Sequence, residues 1–122
     1  MAKKKPGVKA VNLAPVSDNP QTAEEFAQRG WHNYSAREYA KAEADYRRAL
    51  DLAKDNPDYH YALALNLAAA GKSQEAVATF ENVIECIKGD ESDDNVVRNH
   101  MLTRLSRGHI NRIKTGEWRL EV

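Results

Sequence analysis

The sequence predicts an all-α protein built as a superhelix of stacked helix-turn-helix hairpins, and three observations carry that expectation. Apolar residues recur at three-to-four spacing through the middle of the chain, as one buried face of each helix requires. No segment keeps the strict apolar-polar alternation of a half-buried strand over a useful length. The line AKAEADYRRALDLA, residues 40–53, is answered 34 residues later by QEAVATFENVIECI.

At 122 residues the chain has the length of one domain, and a chain of that size hides roughly two thirds of the surface it exposes when unfolded. Hydrophobic residues make up 42% and charged ones 30%, with 18 basic against 18 acidic side chains. The middle of the chain is therefore not composed like a disordered segment, and solubility must come from mixed charge. The longest apolar run, YALALNLAAA, is broken by Asn66 and falls far short of the roughly 20 residues of a bilayer span. The opening MAKKKPGVKAVNLAPVSDNP has the basic start of an export signal but lacks the apolar stretch of about 7–15 residues that must follow, so the expected location is cytoplasmic. Cys86 is the single cysteine. It leaves no intramolecular disulfide and no thiolate metal cluster within one chain, and predicts a small buried residue.

Residues 1–20 carry Lys3, Lys4, Lys5 and Lys9 among three of the four prolines. They hold too few large apolar groups to offset ordering entropy, and a flexible basic tail is expected. The folded domain is expected over residues 21–115. Thr22-Ala-Glu-Glu25 has the form of a capping box and opens a first helix to residue 35. After a turn from Ser35 to Glu38, Tyr39, Ala42, Tyr46, Ala49 and Leu50 make one face of a second helix to about residue 54, completing a hairpin over 22–54. Asn56-Pro57 supplies a cap and a first-turn proline for a third helix over 57–70. Gly71 can close it, and Ser73 is expected to cap a fourth helix striped with Ala76, Val77, Phe80, Val83, Ile84 and Ile87, giving a second hairpin over 57–88. Beyond Gly89 the acidic GDESDD leads into a fifth helix over 94–114, with Val97, Met101, Leu105 and Ile113 on its apolar side and Arg98, Arg104, Arg107, Arg112 and Lys114 elsewhere. Gly116 stops that helix, leaving residues 116–122 as a short tail.

A shift of 34 residues carries Gly30 onto Ala64, Ala42 onto Ala76, Tyr46 onto Phe80, Ala49 onto Val83 and Leu50 onto Ile84. A helical hairpin of that period, with a small residue followed four positions later by an aromatic, resembles the tetratricopeptide repeat (TPR). That family's pattern is W-x2-L-G-x2-Y, then A-x3-F, then P. Phe26, Arg29, Gly30 and Asn33 with Tyr34 stand at the first four places in one copy, and His60, Leu63, Ala64 and Leu67 in the other. The closing proline is displaced to Pro57 in the first copy and is Lys88 in the second. The pattern has a physical sense: Gly30, Ala42, Ala49, Ala64 and Ala76 let paired helices approach, while Tyr46 and Phe80 fill the space between hairpins. An ordinary four-helix bundle is the competing architecture. SRGHINRIKTGEW echoes QRGWHNYSAREY, setting Gly108 against Gly30 and, with one residue inserted, Trp118 against Tyr39. The fifth helix thus reads as the first helix of a third repeat without its partner, serving as a cap. Such stacks need about three units for a sufficient core, so a homo-oligomer through an uncovered end is a further expectation.

Little in the chain suggests catalysis. His32, His60, His100 and His109 show no metal-ligand spacing, the paired acids Glu24 with Glu25 and Asp93 with Asp94 sit where helix starts favour negative charge, and there is no glycine-rich phosphate loop. No catalytic residue, metal or cofactor is expected. The basic tail and the arginines of the fifth helix support a nucleic-acid-associated role as the alternative function, with the neutral net charge and GDESDD against it.

The family resemblance implies a non-catalytic scaffold or adaptor that grips a peptide or helix of a partner protein on a concave surface lined by the leading helix of each hairpin. Carried over, the groove residues are Glu24, Ala27, Trp31, Tyr34 and Ser35, then Asp58, Tyr61, Leu65, Ala68 and Ala69. Glu24, Trp31, Tyr34, Asp58, Tyr61 and Leu65 are the candidate site, with Trp31, Tyr34, Tyr61 and Leu65 as an apolar floor flanked by acids. The competing reading has these aromatics packing between helices or under the fifth one. One branch of the family clamps a terminal carboxylate with lysine and asparagine; Ala27, Trp31 and Ala62 stand at those places here. A partner burying three or four large side chains would bind with roughly micromolar affinity, about 8 kcal/mol. The segment VNLAPV, residues 11–16, is a candidate occupant from the chain itself.

Overall fold

Thr22 opens the first helix by accepting the Glu25 amide proton at 3.1 Å, while the Glu25 carboxylate accepts from the Thr22 amide at 3.3 Å, a reciprocal cap. From there the computed structural model, which describes residues 16–90 and 92–118, runs through α1 (Ala23–Ser35), α2 (Tyr39–Leu52), α3 (Pro57–Ala69), α4 (Ser73–Lys88), a short 3-10 turn (Asp93–Asn95) and α5 (Val96–Thr115). Among the described residues there is no strand, and no helix is long and apolar enough to cross a membrane. Asn56 caps α3 by accepting the Asp58 amide at 2.8 Å, with Pro57 in the first turn.

The two hairpins repeat in atomic detail. In the first turn the amides of Ala36, Arg37 and Glu38 donate to the carbonyls of His32, Tyr34 and Asn33; 34 residues on, those of Ala70, Gly71 and Lys72 donate to Asn66, Ala68 and Leu67. Arg37 (φ 65°) and Gly71 (φ 84°) occupy the same left-handed position. This is the Schellman closure, in which a left-handed residue lets two amides reach back to otherwise orphaned carbonyls.

Within each hairpin α1 packs on α2 and α3 on α4; between units α2 packs on α3 and α4 on α5. The leading helices α1, α3 and α5 approach one another in succession, whereas the backbones of α2 and α4 stand apart and meet through the Arg47–Glu75 ion pair at 3.9 Å. That asymmetry puts the leading helices on the inner side of the stack. Ala42, Tyr46, Leu63, Ala64, Leu67, Ala76, Phe80 and Ile110 form one continuous buried core. Ala42 and Ala76 are both fully buried, as are their aromatic companions Tyr46 and Phe80, so the 34-residue register of the sequence is a register of packing. A Cβ added at Gly30 would lie 2.9 Å from the Tyr46 ring, which is why the helices approach so closely there.

Several sequence expectations are corrected. Ser73 is the first residue of α4, not its cap; Lys72 holds the cap position without a side-chain hydrogen bond. Cys86 is half-buried, not buried. On α5, Val97 and Met101 are exposed, and the packed side is made by Asn99, Leu102, Ser106 and Ile110. The acidic approach to α5 dictates this rotation: Asp90 accepts from the Asn99 and Asn95 amides at 2.8 and 3.4 Å and so turns Asn99 inward. Trp118 lies on Gly108 as Tyr46 lies on Gly30, so its packing counterpart is Tyr46 and not Tyr39. Of the N-terminal segment, residues 1–15 lie outside the described residues; Pro20 is buried and the Asp18 carbonyl accepts from Arg29 at 3.2 Å.

Candidate functional site

Four of the six candidate residues fall on matched positions of the two leading helices, Glu24 with Asp58 and Trp31 with Leu65. On α1 the Trp31 indole is 57% exposed and lies 5.5 Å from the Tyr34 ring, which in turn is 6.1 Å from Tyr39. Tyr34, Tyr61 and Leu65 are half-buried and pack against the core. Trp31 is therefore the one large apolar candidate that stands well into solvent. Tyr61 goes under α5: its ring meets Phe80 edge-on at 5.8 Å and its hydroxyl is 3.2 Å from His109 Nε2.

The flanking acids also differ from each other. Asp58 takes a 2.7 Å hydrogen bond from the Arg98 guanidinium and so ties α3 to α5. Glu24 is exposed. Burial, and then the charges of Glu24 and Asp58, push the Tyr59 phenol above its ordinary value. Among the described residues no group of three or more histidines, cysteines or carboxylates could hold a metal ion.

Two constellations escaped sequence reasoning. The first is an ion-pair network inside hairpin one, where the buried Asp45 carboxylate accepts from Arg29 Nε at 3.1 and 3.2 Å, from Arg29 Nη2 at 2.8 Å and from Asn33 Nδ2 at 2.9 Å. The matching residues of hairpin two are Leu63, Leu67 and Thr79. The signal was present: two apolar positions of one copy become polar together in the other, beside an acid on the next helix. The second is an aromatic cluster where α5 meets α3 and α4. His109 lies parallel to Phe80 at 4.7 Å and edge-on to Trp118 at 4.8 Å. Burial, then the neighbouring Arg112 charge, push its imidazole below the usual value.

No family model matches the chain, and no solved structure matches it. One curated protein does, the TPR repeat-containing thioredoxin TTL4 of Arabidopsis thaliana, 32% identical over 94 residues. The chain is similar to a TPR-containing protein. The matched stretch is 77% of this chain but spans only 13% of that relative's length. It thus concerns a small part of a larger molecule, and the relative's name describes that whole molecule.

Proposed function

We propose that this chain is a TPR-family interaction module that binds a segment of a partner protein on its inner face and does no chemistry of its own. The observation that carries the reading is the exposed Trp31, set at a tilt beside Tyr34 on the inner helix of a hairpin whose register repeats in the next. A half-exposed tryptophan on a rigid helix offers a large apolar area at little entropic cost, which is what interface anchors supply. Leu65 extends the apolar strip along α3, and Glu24 gives it an acidic rim. The fitting partner is an amphipathic helix or extended segment whose apolar side chains meet Trp31 and Leu65 and whose basic residue meets Glu24. Similarity to one TPR-containing protein supports the same reading. The relative's redox designation is not carried over, because dithiol exchange needs a second thiol near the first and this sequence has Cys86 alone.

The test is selection of binding peptides from a displayed library on the whole chain, followed by calorimetry. Affinity should be roughly micromolar, fall about tenfold or more on Trp31→Ala, and change little with added salt. Trp31 is exposed, so the variant keeps its fold. Affinity that survives Trp31→Ala and collapses with salt would move binding to the basic residues of α5 and overturn the reading.

A further inference from the structure

Each leading helix of the two hairpins is covered on its outer side by its own trailing helix, with Gly30 of α1 against Tyr46. Gly108 holds the matching place on α5, and Trp118 lies over it. Toward the N-terminus the same side of α5 is open. Val96, Val97, His100, Met101, Arg104 and Leu105 share this face, with Val97 81% and Met101 51% exposed. At about 3.6 residues per turn it lies opposite the buried Asn99, Leu102, Ser106 and Ile110, and so faces directly away from α4. A helix that only capped the stack would carry polar residues here.

We propose that a second copy of this chain covers this face, with α5 lying antiparallel on its counterpart across a two-fold axis near Met101. Charge selects both the occupant and the direction. Asp93 and Asp94 stand exposed at the N-terminal end of the face, and the exposed Arg104 and half-buried Arg107 toward the other end. An antiparallel pair sets Asp93 and Asp94 of each copy beside Arg107 of the other, with Arg104 one turn away, twice by symmetry, and opposes the helix dipoles; a parallel pair sets like charges together. Val97 of one copy then meets Leu105 of the other, and Met101 meets its own mate. The counterpart helix takes the antiparallel position on α5 that α2 takes on α1. The surface is separate from the inner face around Trp31, so dimerisation and peptide binding stand or fall independently.

The face covers about 15 Å of helix, a small interface, so the dimer is expected to half-form at about 10–100 µM. Sedimentation equilibrium of the full chain over that range should show monomer passing to dimer, and Met101→Glu should move the midpoint about tenfold or more upward. The pairs Asp93→Lys with Asp94→Lys and Arg104→Asp with Arg107→Asp should each weaken self-association, and mixing the two variants should restore a dimer containing one of each. Far-UV circular dichroism should be unchanged in all of them. A wild type that stays monomeric, a dimer indifferent to Met101→Glu, or a mixture that restores nothing would each overturn the proposal. So would a chain that dimerises only once residues 1–15 are removed, which would show the face covered by its own N-terminal segment.

Discussion

Arg37 carries an extended consequence of the repeat at the scale of one residue. It sits at φ 65° where the second hairpin has Gly71 at φ 84°, and a side chain in that region crowds its own carbonyl at a cost of roughly 1 kcal/mol or more. Arg37→Gly should therefore stabilise the protein by about 0.5–1 kcal/mol, the gain being trimmed by the freer unfolded chain. Gly71→Ala should destabilise it by about 1 kcal/mol or more. Urea denaturation of the pair checks both, and equal effects of the same sign would break the equivalence of the two turns. Gly71 was legible as a helix end because glycine advertises the left-handed conformation. Arg37 was not, since nothing local marks an arginine for it; only the 34-residue register does.

At the scale of the helix pair, hairpin one adds a buried ion-pair network to its apolar packing at places where hairpin two has two leucines and a threonine. Asp45 is 4% exposed and meets Arg29 and Asn33, where Leu63, Leu67 and Thr79 serve the second pair. Asp45→Ala leaves a guanidinium and an amide without their acceptor. The loss should be about 2–3 kcal/mol, below the full value for a buried pair because the Arg29 side chain is 32% exposed. The triple change Arg29→Leu, Asn33→Leu, Asp45→Thr imports the second hairpin's solution and should fall within about 1 kcal/mol of wild type or above it. Thermal melts of the two variants decide the point. A triple variant as damaged as Asp45→Ala would mean that the first hairpin's backbone cannot take the apolar set.

Docking of α5 onto the second hairpin decides the end of the whole molecule, and His109 sits at that seam between Phe80, Tyr61 and Trp118. Its pKa is lowered from 6.5 in the folded state, by burial first and Arg112 second. Between the folded and unfolded values the unfolded chain binds more protons, so stability is full above 6.5 and falls as pH drops through the folded value. Wild type should lose melting temperature between about pH 7.5 and about pH 5.5, and His109→Phe, which keeps the stack, should lose less. Identical slopes would remove His109 from the account.

The sequence by itself determined the helices, their order and the doubled hairpin, because these follow from period, capping residues and spacing along the chain. Ala42, Ala76, Tyr46 and Phe80 could be placed without coordinates for the same reason: repetition converts local pattern into tertiary expectation. What faces what at the ends of the stack was decided only in three dimensions. That α5 reaches Tyr61 through His109 and the still-exposed Asp58 through Arg98 is one such fact. Val97 and Met101 looked like core until the Asp90–Asn99 bond turned α5 the other way. A helix's rotation about its own axis depends on partners far along the chain, and no local periodicity contains them.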